Sequence, residues 1–137
     1  MGAIVDTKKA IERRLKQQFP TLQIAYEGVS FTPPNNAMYL VINFRVNKPT
    51  DPVLNKWYYR ENITCNIFIC DLPNKGTGNA YSKAEEVRLA FDKGLTLVEG
   101  TTSIHILSTP QIAGSSIASD RVIVPVIISC TAEVSRT

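Results

Sequence analysis

The chain has 137 residues, a net charge of +3 and a 44% share of hydrophobic residues. This size and composition fit one globular domain over residues 1–137 and exclude bulk disorder. The sequence has no apolar run near the ~20 residues that a membrane helix needs. The odd cysteine count, with no secretion-signal pattern at the N-terminus, predicts reduced thiols in a cytoplasm.

The first predicted element is a basic amphipathic helix from about Asp6 to Phe19. Asp6 or Thr7 is expected to cap its start, and Pro20 cannot continue it. One face is apolar and the other carries Lys9, Arg13 and Lys16. The whole charge excess lies in residues 1–20, so this face is either simply solvated or able to touch nucleic acid.

Alternating apolar and polar residues predict the strands, and a second helix separates the third strand from the fourth. The predicted strands are Leu22–Tyr26, Met38–Val46, Trp57–Cys70, Ile104–Leu107 and Arg121–Val134, and the helix is Asn79–Phe91. The small and polar segment Gly114–Ser119 is predicted to form a turn. Pro125 predicts that the last strand is an edge strand or has a bulge at this residue. The expected fold is α+β: a mostly antiparallel sheet of four to five strands with two helices packed on one face.

A long loop and an overlong strand adjoin each other in the middle of the chain. The loop, Asn47–Lys56, is rich in proline and polar residues, and the strand after it exceeds the usual strand length. Together they predict a projecting hairpin arm. The adjacent aromatics Trp57, Tyr58 and Tyr59 cannot all face one core, which favours an interface over core packing with one exposed ring. The predicted oligomer or partner interface comprises Asp51, Pro52, Lys56, Trp57, Tyr58, Tyr59 and Arg60.

Candidate chemistry is sparse along the chain. His105, the only histidine, is expected on a strand without local partners, and the cysteines Cys65, Cys70 and Cys130 read as buried apolar residues. The loop Gly76-Thr77-Gly78 lacks the residues of a phosphate-binding loop and reads as a turn before the second helix. We therefore expect no catalytic residues, no metal and no cofactor.

The order and spacing of several segments resemble those of phage tail terminators, small virion proteins of long-tailed phages. The segments are Asp51-Pro52-Val53-Leu54, Tyr59-Arg60-Glu61, Gly76-Thr77-Gly78, the helix with Ala80, Ala84, Val87 and Phe91, Thr109-Pro110, and Asp120 to Val126. Asn62 stands where the family usually has glycine.

The resemblance implies a structural protein of the virion, assembled in the host cytoplasm and placed at the head-proximal end of the tail. Such proteins form a hexameric ring that caps the tail tube, stops tube polymerisation and offers a docking surface to the head–tail connector. DNA passes through the pore without specific binding, and no enzyme activity, cofactor or membrane is involved. The alternatives are another neck or connector protein, or a small ligand-binding domain or enzyme.

Overall fold

The computed structural model describes residues 2–54, 56–118 and 120–135, which fold into two helices and one eight-stranded sheet. The helices are α1 (Ala3–Gln18) and α2 (Gly78–Ala90). The strands are β1 (Gln23–Ala25), β2 (Tyr39–Val46), β3 (Tyr58–Asp71), β4 (Thr96–Glu99), β5 (Thr102–Ile106), β6 (Gln111–Ile112), β7 (Ser116–Ala118) and β8 (Arg121–Ser135).

Two long antiparallel strands, β3 and β8, form the centre of the sheet. Their register runs from Tyr58 opposite Ser135 to Asp71 opposite Val122. The strand order is β1-β2-β3-β8-β5-β4, and the short strands β6 and β7 also pair with β8. All pairs are antiparallel except β1 with β2.

The α+β class with two helices is confirmed, but the predicted four to five strands are too few. Three strands were not predicted: β4, β6 and β7. They have two to four residues and are largely exposed, so no alternation of apolar and polar residues marks them in the sequence. Backbone pairing with a neighbouring strand forms them instead. β7 lies within the predicted turn Gly114–Ser119, whose last residue is outside the described residues.

One hydrophobic cluster fills the space between the sheet and both helices. The inward side chains of the central strands include Ile63, Ile67, Val124 and Ile128, each at most 2% exposed. From α1 they meet Ile11 and Leu15, and from α2 they meet the predicted apolar face of Ala80, Ala84, Val87 and Phe91, all fully buried. Both helices therefore cover the same face of the sheet, as predicted.

The first helix begins three residues earlier than predicted, at Ala3, and neither expected capping residue caps it. Asp6 is buried inside the first turns, where its Oδ2 accepts a 2.7 Å hydrogen bond from the Thr102 hydroxyl of β5. Thr7 is also buried and donates its hydroxyl to the Ala3 carbonyl. A tertiary partner distant in sequence thus replaces the local capping role.

Pro125 lies in the central strand β8, so its placement in an edge strand was wrong. Its carbonyl accepts a hydrogen bond from Ala113 N–H, on the side where β6 ends at Ile112 and β7 begins only at Ser116. Because the N–H and C=O of a strand residue point to the same side, the N–H that proline lacks would fall in this gap. The break in the neighbouring strands makes the proline tolerable.

Phe91→Ala is expected to lower the free energy of unfolding by about 3–5 kcal/mol, because the fully buried ring leaves a cavity under the sheet. Denaturant titration measures this loss. The control is Leu89→Ala on the same helix, where the side chain is 71% exposed and the change should stay within about 0.5 kcal/mol. Equal losses for the two variants would contradict the packing described.

Candidate assembly surface

The loop after β2 continues the pairing of the β2–β3 hairpin past the end of β2. Thr50 and Arg60 exchange two backbone hydrogen bonds of 2.9 Å, and Asn47 N–H donates to the Asn62 carbonyl. The stretch between these pairs has one extra residue on the first strand, and it contains Pro49, which has no N–H to donate. This is a β-bulge, which twists the end of a hairpin. We refer to residues 47–54 and 56–60 as the arm.

A side-chain network fastens the base of the arm. The Asn62 amide donates to the Lys48 carbonyl at 2.9 Å and to the Thr50 hydroxyl at 2.7 Å. Asn62 therefore has a local structural role. It holds the bulged strand against β3.

The tip of the arm presents apolar side chains to solvent. Leu54 is fully exposed, Val53 is 43% exposed and Trp57 is 50% exposed. The ammonium group of Lys56 lies 5.0 Å from the centroid of the Trp57 ring, a cation–π contact. Asp51 and Pro52 are also exposed, so four of the predicted interface residues lie on an accessible surface.

The other three predicted interface residues lie at the start of β3 and are half-buried. The Tyr58 hydroxyl donates to Glu133 Oε1 of β8 at 3.0 Å, and Arg60 Nε lies 3.7 Å from the same oxygen. Tyr59 is half-buried on the opposite face of the strand. The structure thus uses Tyr58 and Arg60 to hold the arm onto the sheet, and it leaves Asp51, Pro52, Lys56 and Trp57 facing outward.

A second exposed feature, which sequence reasoning missed, lies on the face of the sheet away from the helices. A groove of about 410 Å³ is lined mainly by Tyr39, Val41, Phe68, Ile123 and Pro125. We refer to it as the sheet-face groove. Apolar residues at both parities of β2 and β8 were the available signal, because a strand buried on one face alone alternates with polar residues.

Arg121 forms the rim of this groove. Its guanidinium donates to the Ala37 carbonyl at 2.6 Å and also to the Pro34 carbonyl, and it lies over the Tyr39 ring. Phe31, from the loop after β1, packs 5.3 Å from the same tyrosine ring. These contacts fix the wall of the groove in the single subunit.

The basic side chains of α1 are largely engaged within the subunit. Lys8 pairs with Glu27 at 2.9 Å and Arg13 with Glu99 at 2.6 Å, while Arg14 donates to the Ala90 carbonyl at the end of α2. Phe44 N–H also binds the Glu27 carboxylate, and this bond, together with Lys8, lowers the pKa of Glu27. Such pairing favours a structural role for this face over a nucleic-acid site.

A family model described as phage tail terminator protein matches residues 6–129. The chain belongs to the phage tail terminator family. It is therefore a structural protein of the phage virion. No curated protein matches its sequence.

Two solved structures share the fold. One, which carries no functional name, aligns with a TM-score of 0.69 at 21% identity and covers 92% of this chain and 92% of its own. The other is a chain of the virion of native gene transfer agent (GTA) particle, with a TM-score of 0.62 at 13% identity, covering 96% of this chain and 98% of that chain. At sequence identities this low, the structural similarity establishes a shared fold and no more.

His105 lies close to two polar side chains, so the expectation that this histidine lacks local partners was wrong. Its Nδ1 lies 3.1 Å from the Thr96 hydroxyl and its Nε2 lies 3.6 Å from Glu133 Oε2. A hydroxyl, an imidazole and a carboxylate in series are also the parts of a nucleophilic triad. Here the carboxylate is shared with Tyr58 and Arg60, so the series extends the network that anchors the arm across β3, β8, β5 and β4.

The remaining candidate sites have structural roles in the described ranges. Gly76 has φ +74°, a left-handed backbone conformation that explains a glycine in the turn before α2. Within residues 2–54, 56–118 and 120–135 no three metal-binding side chains converge. Neither of the helices described is long and apolar enough to cross a membrane.

The three thiols are buried, and burial raises the pKa of each of them, that of Cys130 to about 12. Few thiolates are then present near neutral pH, and thiolate is the nucleophilic form. The interpretation of the cysteines as apolar core residues is consistent with this.

A maleimide reagent should therefore label the native protein far more slowly than the unfolded protein at about pH 7, because an ordinary exposed thiol titrates near 8.5. Mass spectrometry counts the labels over time. Leu89→Cys supplies an exposed reference thiol on α2, which should react within the same experiment as the unfolded chain does. Rapid native labelling of Cys65 or Cys130 would contradict the burial.

Proposed function

We propose that this protein is a tail terminator in the strict sense: it forms a ring, with six copies as the family resemblance implies, that caps the tail tube. The ring stops polymerisation of the tube protein at the head-proximal end and presents its other face to the head–tail connector. The family match over residues 6–129 is the observation that carries this proposal.

The exposed features of the subunit suit a cyclic assembly. The arm tip and the sheet-face groove are two different apolar surfaces, and β4 ends the sheet with Val98 64% exposed. Monomers normally protect strand edges and apolar patches. A contact between two different patches repeats around a ring, and closure of the ring leaves no patch uncovered.

The proposed ring keeps the basic face of α1 away from the pore. A channel lined with lysine and arginine would bind passing DNA through its phosphates, whereas a conduit must let DNA slide. The ion pair of Arg13 with Glu99 within the subunit supports this placement, because it neutralises one of the three cations of that face. DNA would then pass without specific binding.

The test of this function is a tube-polymerisation assay. Purified tail-tube protein is polymerised with and without the chain, and tube lengths and ends are measured by negative-stain electron microscopy. A terminator should shorten the tubes in proportion to its concentration and appear at one end. Unaltered tubes with no terminal density would overturn the proposal, and binding to the connector alone would favour a different neck protein.

Trp57→Ala is expected to weaken assembly while leaving the subunit folded. Loss of a central aromatic anchor costs about 2 kcal/mol or more, which is roughly thirtyfold in a dissociation constant. Concentration-dependent light scattering measures the association, and circular dichroism checks the fold. The matched control, Leu89→Ala, removes an exposed apolar side chain from α2 and should leave assembly unchanged. Unchanged assembly of a folded Trp57→Ala protein would remove the arm from the interface.

A further inference from the structure

The arm tip and the sheet-face groove lie at opposite ends of the same sheet. Tyr58, next to the tip, and Phe68, in the groove, are ten residues apart on β3, which corresponds to about 34 Å at the rise of an antiparallel strand. The Thr50–Arg60 pairing directs the arm further along this axis. The arm tip therefore cannot reach the groove of its own subunit.

We infer that the tip of the arm, Val53 and Leu54, binds in the sheet-face groove of a neighbouring copy of this chain. This inference rests on the proposed ring, and it names the two surfaces that form the contact. The contact is heterologous, because one surface of each subunit binds a different surface of the next. A chain of such contacts closes into a ring when the rotation per subunit permits it.

The chemistry of the two surfaces is complementary. Leu54 is fully exposed and apolar, and the groove is lined by aromatic, aliphatic and proline side chains. Burying Leu54 there removes apolar surface on both partners from water.

One charge pair favours a second copy as the occupant. Among the described residues that line the groove, Arg121 is the charged one, and Asp51 lies on the arm two positions before Val53. The arm also carries Lys48, Lys56 and Arg60, but Arg60 pairs with Glu133 and Lys56 lies over the Trp57 ring within the subunit. The Arg121 guanidinium donates hydrogen bonds to the Ala37 and Pro34 carbonyls. A guanidinium group has five N–H donors in all. Its remaining donors are available to a carboxylate at the rim, which would orient the arm as it enters.

Disulfide trapping between separately purified variants tests this contact. Leu54→Cys is mixed with Val41→Cys under mild oxidation at a concentration where the protein assembles. A disulfide forms only where the two Cβ atoms come within about 4.5 Å. The control mixture pairs Leu54→Cys with Leu89→Cys. The Leu89 position is more exposed than the Val41 position, but it lies in the helix layer. Leu54→Cys alone gives the background from Cys70, a buried residue that also lines the groove.

The expected result is a covalent dimer for the Val41→Cys mixture at least tenfold above both controls. The double variant Leu54→Cys, Val41→Cys should give a ladder that stops at the ring size. Equal yields in all mixtures of an assembled protein would overturn the arm-in-groove contact while leaving the ring intact. A chain that assembles neither alone nor with tail-tube protein would overturn both the contact and the proposed function.

A second substitution tests the same contact without cysteine chemistry. Leu54→Asp places a charge in an apolar groove and should reduce self-association by tenfold or more, whereas Leu89→Asp should not. Both side chains are exposed in the single subunit, so neither change should affect folding. Full association of the Leu54→Asp protein would contradict the inference.

Discussion

The pairing of β3 with β8 is the constraint on which the rest of the structure depends. Its register extends over fourteen residues, from Tyr58 and Ser135 at one end to Asp71 and Val122 at the other. Because side chains alternate along both strands, this one ladder decides which residues face the helices and which face outward. A slip by one residue would reverse the two sets. The single hydrophobic core, the arm and the sheet-face groove all follow from the register that is observed.

The same constraint explains why the subunit has unused surfaces. Two helices cover one face of the sheet, and the sheet-face groove lies on the other, where Phe31 and Arg121 contact Tyr39. The hairpin of β2 and β3 also continues past the paired strands, through the Thr50–Arg60 bridge, as the arm. Its base is held by Glu133, which Tyr58, Arg60 and His105 all approach. A rigid base and an exposed apolar tip are suited to binding a partner, and in the proposed ring that partner is a second copy.

Much of this fold follows from local patterns in the sequence. The strands β3 and β8 and the apolar face of α2 have strong periodicity, and the structure confirms them. The sequence could not show that Asp6 would bind Thr102, ninety-six positions later, so the start of α1 was placed too late. β4, β6 and β7 escaped prediction because pairing with neighbouring strands forms them. In the candidate interface, composition pointed to the whole segment and could not separate outward-facing Trp57 from Tyr58 and Arg60, which bind a carboxylate distant in sequence.

In the proposed assembly, the subunits associate through two different surfaces and close into a ring. Native mass spectrometry of the protein, alone and with tail-tube protein, tests it most directly because it counts subunits. The account predicts one discrete species of about 91 kDa, six times the 15.2 kDa chain, with no larger multiples at higher concentration. A protein that stays at 15.2 kDa under both conditions, or that forms an open series of ever larger oligomers, would contradict it.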